Sequence, residues 1–180
     1  MKFEKIVLTT NGILLSSNEF NYLEMFENGL THLNVSIHNE KEFISIESMQ
    51  KLYDSIKSVY PDAKIRINTN IWKGNHDNLT DLIEWVMRFM YCSDSVRVSN
   101  LIYKDSFSVN SVNNSGAETM ILSDQEYNDL FDSYIEYYSG YLTCIDNSNA
   151  LGFVDYIMIP LRSAVIINRN IDSKVSDLLS

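Results

Sequence analysis

Cysteine and histidine, the residues that most often ligate metals or act as nucleophiles, are few in this sequence and widely spaced. Cys92 and Cys144 lie 52 residues apart. The three histidines, His32, His38 and His76, have no metal-ligand spacing with the cysteines or with one another. The chain also has no glycine-rich phosphate loop and no Gly-x-Ser-x-Gly motif. We therefore expect no metal site and no catalytic constellation, and structural or surface roles for the histidines.

Carboxylates are abundant by comparison, and they are unevenly placed. Between Lys104 and Arg162 there is no lysine or arginine. That interval holds nine acids: Asp105, Glu118, Asp124, Glu126, Asp129, Asp132, Glu136, Asp146 and Asp155. Such a field repels phosphate, so it disfavours direct binding of nucleic acid and favours a partner with a basic surface. A solvated acidic surface without a partner is the alternative interpretation.

One predicted helix carries most of these acids and is the candidate partner-binding element. Ser123 and Glu126 have the spacing of a capping box that opens it. Apolar and aromatic residues then recur on one side, at Tyr127, Leu130, Phe131, Tyr134 and Tyr138. Aromatic residues beside acids are the anchors that interfaces favour. The candidate partner-binding residues are Asp124, Glu126, Asp129, Asp132, Glu136 and Tyr137.

The composition is that of one globular domain. The chain has 180 residues, of which 45% are hydrophobic, and a formal net charge of −10. No apolar run reaches the roughly 18 residues of a membrane span, and no signal-peptide pattern is present. We therefore expect a cytoplasmic protein without a disulfide framework and without membrane contact. The many asparagines, isoleucines and tyrosines, with only 6 glycines, fit an AT-rich genome such as that of a low-GC bacterium or its phage.

Strands and helices alternate through the first 103 residues. Short apolar or alternating runs predict strands at 5–10, 32–38, 63–71 and 95–102. Helical periodicity predicts helices from Ser16 to Gly29, from about Glu42 to Val59, and from Leu79 to Met90. We predict an α/β fold with an open, mainly parallel four-stranded βαβ sheet, followed by a C-terminal helix and a β-hairpin that turns near Pro160. The chain would form a single domain over 1–180, with the βα core in 1–103 and an acidic loop, helix and hairpin in 104–180.

Three segments, in this order, resemble radical S-adenosylmethionine enzymes. They are "TTNG" after the first strand, "GLTHLNVSIH" about twenty residues later, and "RINTNI" after the next helix. In that family they lie on the third, fourth and fifth strands of a partial barrel, and "SVRVSNLI" would be the sixth. The closing "IMIPLRSAVIINRN" is also similar to the segment after the barrel in some members. The resemblance covers most of residues 4–103 and implies that the sheet is part of a TIM-like barrel.

The resemblance also implies which residues would contact S-adenosylmethionine. Asn11, Ser36, Arg66 and Asn70 stand at the family's contact positions. Ser36 would face the ribose or carboxylate, and Arg66 would pair with the carboxylate through its guanidinium group. Asn68 would lie nearby, at the strand ends where α/β sheets bind ligands.

The chain lacks the two family motifs that the radical chemistry requires. The C-x₃-C-x₂-C motif that holds the iron–sulfur cluster is missing, as is the Gly-Gly-Glu-Pro motif of the second strand. We therefore expect no cluster and no radical activity from this chain alone. Both motifs would precede "KIVLTT", so this strand resembles an interior barrel strand without its upstream neighbours. An exposed apolar edge would need a cover: a rearranged tail, another copy of the chain or a partner.

Three functions remain as hypotheses. The first is a non-catalytic, acidic protein-interaction module, such as a small phage protein that binds and inhibits a host transcription, replication or defence factor. The second is the C-terminal half of a split radical S-adenosylmethionine enzyme, whose cluster-binding half is a separate chain. The third is a small-molecule binder that retains the S-adenosylmethionine pocket, with poor affinity because the cluster contacts are missing.

Overall fold

The structure is a computed structural model, and it describes residues 4–16, 21–39, 44–100, 118–146, 153–158 and 164–168. The strands are β1 Val7–Thr10, β2 His32–Ser36, β3 Lys64–Ile71, β4 Ser95–Asn100, β5 Leu142–Asp146, β6 Phe153–Met158 and β7 Ala164–Asn168. The α-helices are α1 Tyr22–Glu27, α2 Ile46–Val59, α3 Leu79–Met90 and α4 Asp124–Tyr137. Every strand and helix that the sequence predicts is present, with shifts at some ends, and β5 is an additional strand.

The seven strands form one sheet in the order β1-β2-β3-β4-β7-β6-β5. Strands β1, β2, β3, β4 and β7 are parallel, whereas β6 is antiparallel to both β7 and β5. The predicted α/β class, the open parallel sheet and the C-terminal hairpin are therefore confirmed. The predicted number of strands is too low, because the second strand of the hairpin pairs with β4 and extends the parallel part to five strands.

All the described α-helices pack on one face of the sheet. Consecutive strands β1 to β4 are neighbours, and right-handed crossovers between such strands bring every helix to the same side. The buried side chains of the four helices and of the alternating strand positions form a single hydrophobic core. Two hydrogen bonds mark this face: Trp85 Nε1 donates to Thr69 Oγ1 at 2.8 Å, and Tyr127 OH donates to Val98 O at 3.2 Å. This winding is the one found in a segment of a β/α barrel.

Side-chain caps set the starts of three helices. Ser45, Asn78 and Ser123 each accept a hydrogen bond from a backbone N–H in the first turn of their helix. The predicted start of the second helix at Glu42 is wrong, since Ser45 is extended and α2 begins one residue later. The predicted cap formed by Ser16 and Glu19 lies outside the described residues. Gly29, at φ 104°, ends α1 as predicted.

Two further observations concern the reactivity of a cysteine and the membrane-spanning potential of the helices. Cys92 is a free thiol, and burial raises its pKa to about 12, so it is poorly reactive. In the part of the chain that the structure describes, no helix has both the length and the apolar character that crossing a bilayer requires.

Candidate functional site

The sheet face opposite the helices carries the polar residues of the central strands. Along β2, β3 and β4, buried residues that are mostly apolar alternate with polar residues that are mostly partly exposed. The register aligns Asn34 with Arg66, and Ser36 with Asn68 and Arg97. We call this surface the polar face, defined by Asn34, Ser36, Arg66, Asn68, Asn70, Arg97 and Ser99.

Three of the four predicted S-adenosylmethionine contacts lie on the polar face. Ser36 ends β2, and its register partner Asn68 stands midway between Arg66 and Asn70 along β3. Arg66 Nε donates a hydrogen bond to Ser95 Oγ on β4 at 3.1 Å. The structure therefore brings Ser36, Arg66 and Asn70 together on neighbouring strands, with Arg66 nearest the N-terminal ends of the strands.

The fourth predicted contact, Asn11, has a local role in the turn after β1. Its Oδ1 accepts a hydrogen bond from the backbone N–H of Ile13 at 3.3 Å. The next residue, Gly12, has φ 78°, and a Cβ there would lie 2.8 Å from Val35 Cγ1 and 2.9 Å from Ile44 Cγ2. The Thr-Asn-Gly sequence thus forms a tight turn against the core, for which glycine is required.

The polar face contains an acceptor that no hydrogen bond satisfies. Asn68 Oδ1 is buried and has no hydrogen-bond partner in the structure as described. Leaving a buried acceptor unpaired costs about 1–3 kcal/mol. A ligand that donates a hydrogen bond at this position would recover that free energy.

Positive charge gathers at the N-terminal end of the polar face. The pKa of His32 is lowered, first by burial and then by the charges of Lys5, Arg66 and Lys64. Arg97 adds a further guanidinium group on β4. In a chain with a net charge of −10, this face has the electrostatics of a surface for an anionic group.

A loop folds over the C-terminal ends of β2 and β3. The backbone N–H of Asn70 donates to His38 Nδ1 at 3.1 Å, and Asn75 Nδ2 donates to His38 O at 3.0 Å. An isolated bridge pairs Trp72 with Asn75, and Gly74 takes φ 84° within this turn. His38 therefore has the structural role expected for the histidines, and it fixes the loop beside the strand ends.

The acidic helix α4 has one buried and one exposed face. Tyr127, Leu130, Phe131 and Tyr134 are buried in the core, whereas the five predicted partner-binding acids are exposed. Tyr137 is 63% exposed and stacks edge-on against Tyr138. We call the exposed side the acidic face, defined by Asp124, Glu126, Asp129, Asp132, Glu136 and Tyr137.

Within the acidic face, Glu126 has a structural role. It accepts hydrogen bonds from Ser123 N at 2.8 Å and Ser123 Oγ at 2.9 Å, which completes the predicted capping box. It also pairs with Lys73 Nζ at 3.1 Å. These bonds lower the pKa of Glu126 to about 2, the bonds from Ser123 having the largest effect. These bonds hold Glu126 at the start of α4.

The edge of the sheet at β1 exposes large apolar side chains. Of the described strands, only β2 pairs with β1. Ile6 and Val7 at the start of β1, and Ile13 and Leu14 just after its end, are exposed by 38%, 46%, 50% and 67%. We call this surface the β1 edge. The apolar edge expected from the sequence is thus present, and such edges are sites at which another chain can add a strand.

Sequence reasoning missed Arg97 on the polar face and a groove. Arg97 was detectable, because it alternates with buried residues in its strand. The groove, which lies between α2, α3 and the loop after β3, brings together residues that are distant in sequence, so no local pattern marks it. The described residues include no group of three or more histidine, cysteine, aspartate or glutamate side chains that could hold a metal ion.

Comparison with known proteins adds no family to this picture. No family model matches the sequence, and no curated protein matches it either.

Proposed function

We propose that this protein is a non-catalytic protein-interaction module that contacts its partner through the β1 edge and the acidic face of α4. The observation that carries the proposal is the exposure of four large apolar side chains at the two ends of the edge strand β1. Exposed apolar patches next to an open edge are typical of surfaces that pair with another chain. The acidic face supports the same function, because charges around an interface speed encounter and select the partner.

The partner that fits these surfaces has a basic patch and an extended segment. The basic patch would face Asp129, Asp132 and Glu136, and the segment would pair with β1. The composition bias leads us to propose a phage protein in the host cytoplasm, acting on a host transcription, replication or defence factor. Acidic side chains would there occupy a surface that otherwise binds phosphate groups.

The test is affinity purification of the tagged protein from the lysate of its host at two salt concentrations. We expect one protein at equal stoichiometry, with less recovered at high salt because exposed charge pairs are screened. Val7→Lys, at the β1 edge, and the double variant Asp132→Asn/Glu136→Gln should both reduce recovery. The control is Asp54→Asn/Asp62→Asn, which removes two exposed acids elsewhere. Recovery that neither test variant reduces would contradict the proposal.

A second candidate is favoured by the polar face. Ser36, Arg66 and Asn70 lie on one face of a sheet whose β1 edge is open, which fits half of a split radical S-adenosylmethionine enzyme. The other chain would supply the cluster and the strands beside β1. In the same purification, a cysteine-rich polypeptide that carries iron would support this candidate. A partner without a C-x₃-C-x₂-C motif would reject it.

A further inference from the structure

The β1 edge presents backbone hydrogen-bonding groups as well as apolar side chains. His32 N donates to Ile6 O at 3.0 Å, so Ile6 and every second residue after it direct their backbone groups towards β2. The intervening residues, Val7 and Thr9, direct theirs away from the sheet. Of the described strands only β2 adjoins β1, so none of them takes up these groups. The N–H and C=O groups of Val7 and Thr9 are therefore available to an added strand.

The opposite edge of the sheet is a poorer template for an added strand. Strand β5 pairs with β6 through a ladder whose register shifts between Cys144 and Asp146. Such an irregularity interrupts the row of backbone groups and twists the edge, which is one way in which proteins prevent edge-to-edge pairing. Strand β1 keeps an unbroken register with β2 from Val7 to Thr10. Of the two edge strands, β1 is therefore the one that suits a partner.

One side of the β1 edge is apolar. Leu8 pairs in register with Leu33 of the core, so Leu8 and Ile6 lie on the side of the helices. Leu8 is half-buried, and 38% of Ile6 is exposed. A strand added to β1 would cover both side chains with its own residues on that side. We therefore expect apolar residues at alternate positions of such a strand.

The other side of the same edge is basic. Lys5 is exposed and lies on the side of the polar face, two residues before Val7, whose register partner is His32. The pKa of His32 is lowered first by burial and then by three neighbouring cations, of which Lys5 has the largest effect. Strands β1 to β4 contain no aspartate or glutamate. An acidic side chain on an added strand would therefore meet a positive field on this side.

We propose that the β1 edge binds an extended segment of a partner protein in which apolar and acidic residues alternate. The segment would pair with the backbone groups of Val7 and Thr9. Its apolar side chains would cover Ile6 and Leu8, and its carboxylates would face Lys5 on the other side. The inference rests on the proposed function, because it specifies the chemistry of the segment that pairs with β1. It assigns no new role to the acidic face of α4.

The experiment is an NMR titration of the full chain with acetyl-Val-Glu-Val-Glu-Val-amide. One matched probe, acetyl-Val-Lys-Val-Lys-Val-amide, reverses the charge, and another, acetyl-Val-Val-Val-Glu-Glu-amide, keeps the composition but removes the alternation. We expect saturable binding of the alternating acidic peptide alone. Amide hydrogen exchange at Val7 and Thr9 should slow about tenfold when the peptide is at about nine times its Kd. Exchange at Leu8 and Thr10 should not change, because their N–H groups already bond to β2.

Two variants test the two kinds of contact. Lys5→Glu should weaken binding of the acidic peptide by about two- to fivefold, as expected for an exposed ion pair. The control is Lys51→Glu, which reverses an exposed charge on α2 and should bind unchanged. Val7→Pro removes an outward N–H but no bond to β2, a position at which edge strands tolerate proline. It should weaken binding about two- to tenfold, the contribution of one hydrogen bond.

Unchanged exchange at Val7 and Thr9 at millimolar peptide, or equal slowing with either matched probe, would overturn the proposal. Equal slowing at Leu8 and Thr10 would also overturn it, because the peptide would then stabilise the fold without adding a strand. The lysate purification separates this proposal from the proposed function. If the peptide fails but Val7→Lys still reduces recovery of a partner, the alternating acidic segment is rejected and the proposed function stands.

Discussion

At the residue scale, Gly12 controls the turn after β1 in two separable ways. Its φ of 78° is unfavourable for any residue with a Cβ, and a Cβ would also collide with Val35 and Ile44. Gly74 has a similar φ of 84°, but nothing lies within 4 Å of the position its Cβ would take. Substitutions at Gly12 and Gly74 therefore distinguish the cost of backbone strain from the cost of steric overlap.

We expect Gly12→Ala to lower the free energy of unfolding by about 2–4 kcal/mol, from strain and overpacking together. Gly74→Ala should cost about 1–2 kcal/mol, from strain alone. Urea denaturation of both variants beside the unmodified chain measures the difference. Equal losses in the free energy of unfolding would show that the overlap of the added Cβ with Val35 and Ile44 does not affect stability.

His76 makes stability depend on pH. Burial lowers its pKa below 6.5, although Asp81 and Asp77 act in the opposite direction. The unfolded chain thus takes up a proton at higher pH than the folded protein. The stabilisation is complete above the unfolded pKa and is lost as the pH falls through the folded one.

We expect the free energy of unfolding to decrease between about pH 7.5 and pH 5, and His76→Asn to flatten this dependence. Asparagine is chosen because it tolerates the positive φ of 58° at this position. Some dependence should remain, because the pKa of His32 is lowered as well. Urea denaturation at both pH values provides the measurement, and an unchanged slope in the variant would contradict the expectation.

At the element scale, the capping box sets the start of α4 and so the position of the acidic face. Ser123→Ala removes the hydroxyl that accepts from Glu126 N and donates to Glu126 Oε2. We expect a loss of about 1 kcal/mol in the free energy of unfolding, typical of N-cap removal. The control is Ser133→Ala, an exposed serine within the same helix. Equal effects of the two substitutions on thermal unfolding would argue against the cap.

Local sequence patterns were sufficient to predict most strands and helices, but they did not predict every strand pairing in the sheet. The alternation in "AKIRINTNI" and the period of apolar residues in α3 depend on nearby residues, so the predicted bounds of α3 are correct and those of β3 differ by one residue at its start. The pairing of β7 with β4 joins segments 69 residues apart that no local pattern connects. The polar face followed partly from the resemblance, whereas the groove brings together residues of α2 and α3 that are distant in sequence.

At the scale of the whole molecule, the polar face and the chain's net charge have opposite sign. Arg66, Arg97 and Lys64 gather on one face of a protein with a net charge of −10. An anionic ligand would be attracted at this face and repelled elsewhere. The carboxylate of S-adenosylmethionine is one group that an arginine fork would recognise.

We expect S-adenosylmethionine to bind weakly, and Arg66→Met to reduce the affinity about tenfold or more, since a hydrogen bond to a charged group contributes about 1.5–3 kcal/mol. Isothermal titration calorimetry measures both affinities. Lys51→Met, which removes an exposed positive charge from α2, is the control. No heat at millimolar ligand, or equal binding by Arg66→Met, would reject this ligand.

The place of β7 between β4 and β6 has a consequence for how the chain folds. Residue pairs in β1–β2 are 25 apart in sequence and those in β3–β4 are 29 apart, whereas Ser95 and Ala164 in β4–β7 are separated by 69. Closing a longer loop costs more entropy, so the four N-terminal strands can assemble first. During synthesis, β4 would remain an open template until β7 leaves the ribosome. We therefore expect the slow step in forming this sheet to be the insertion of β7 between β4 and β6.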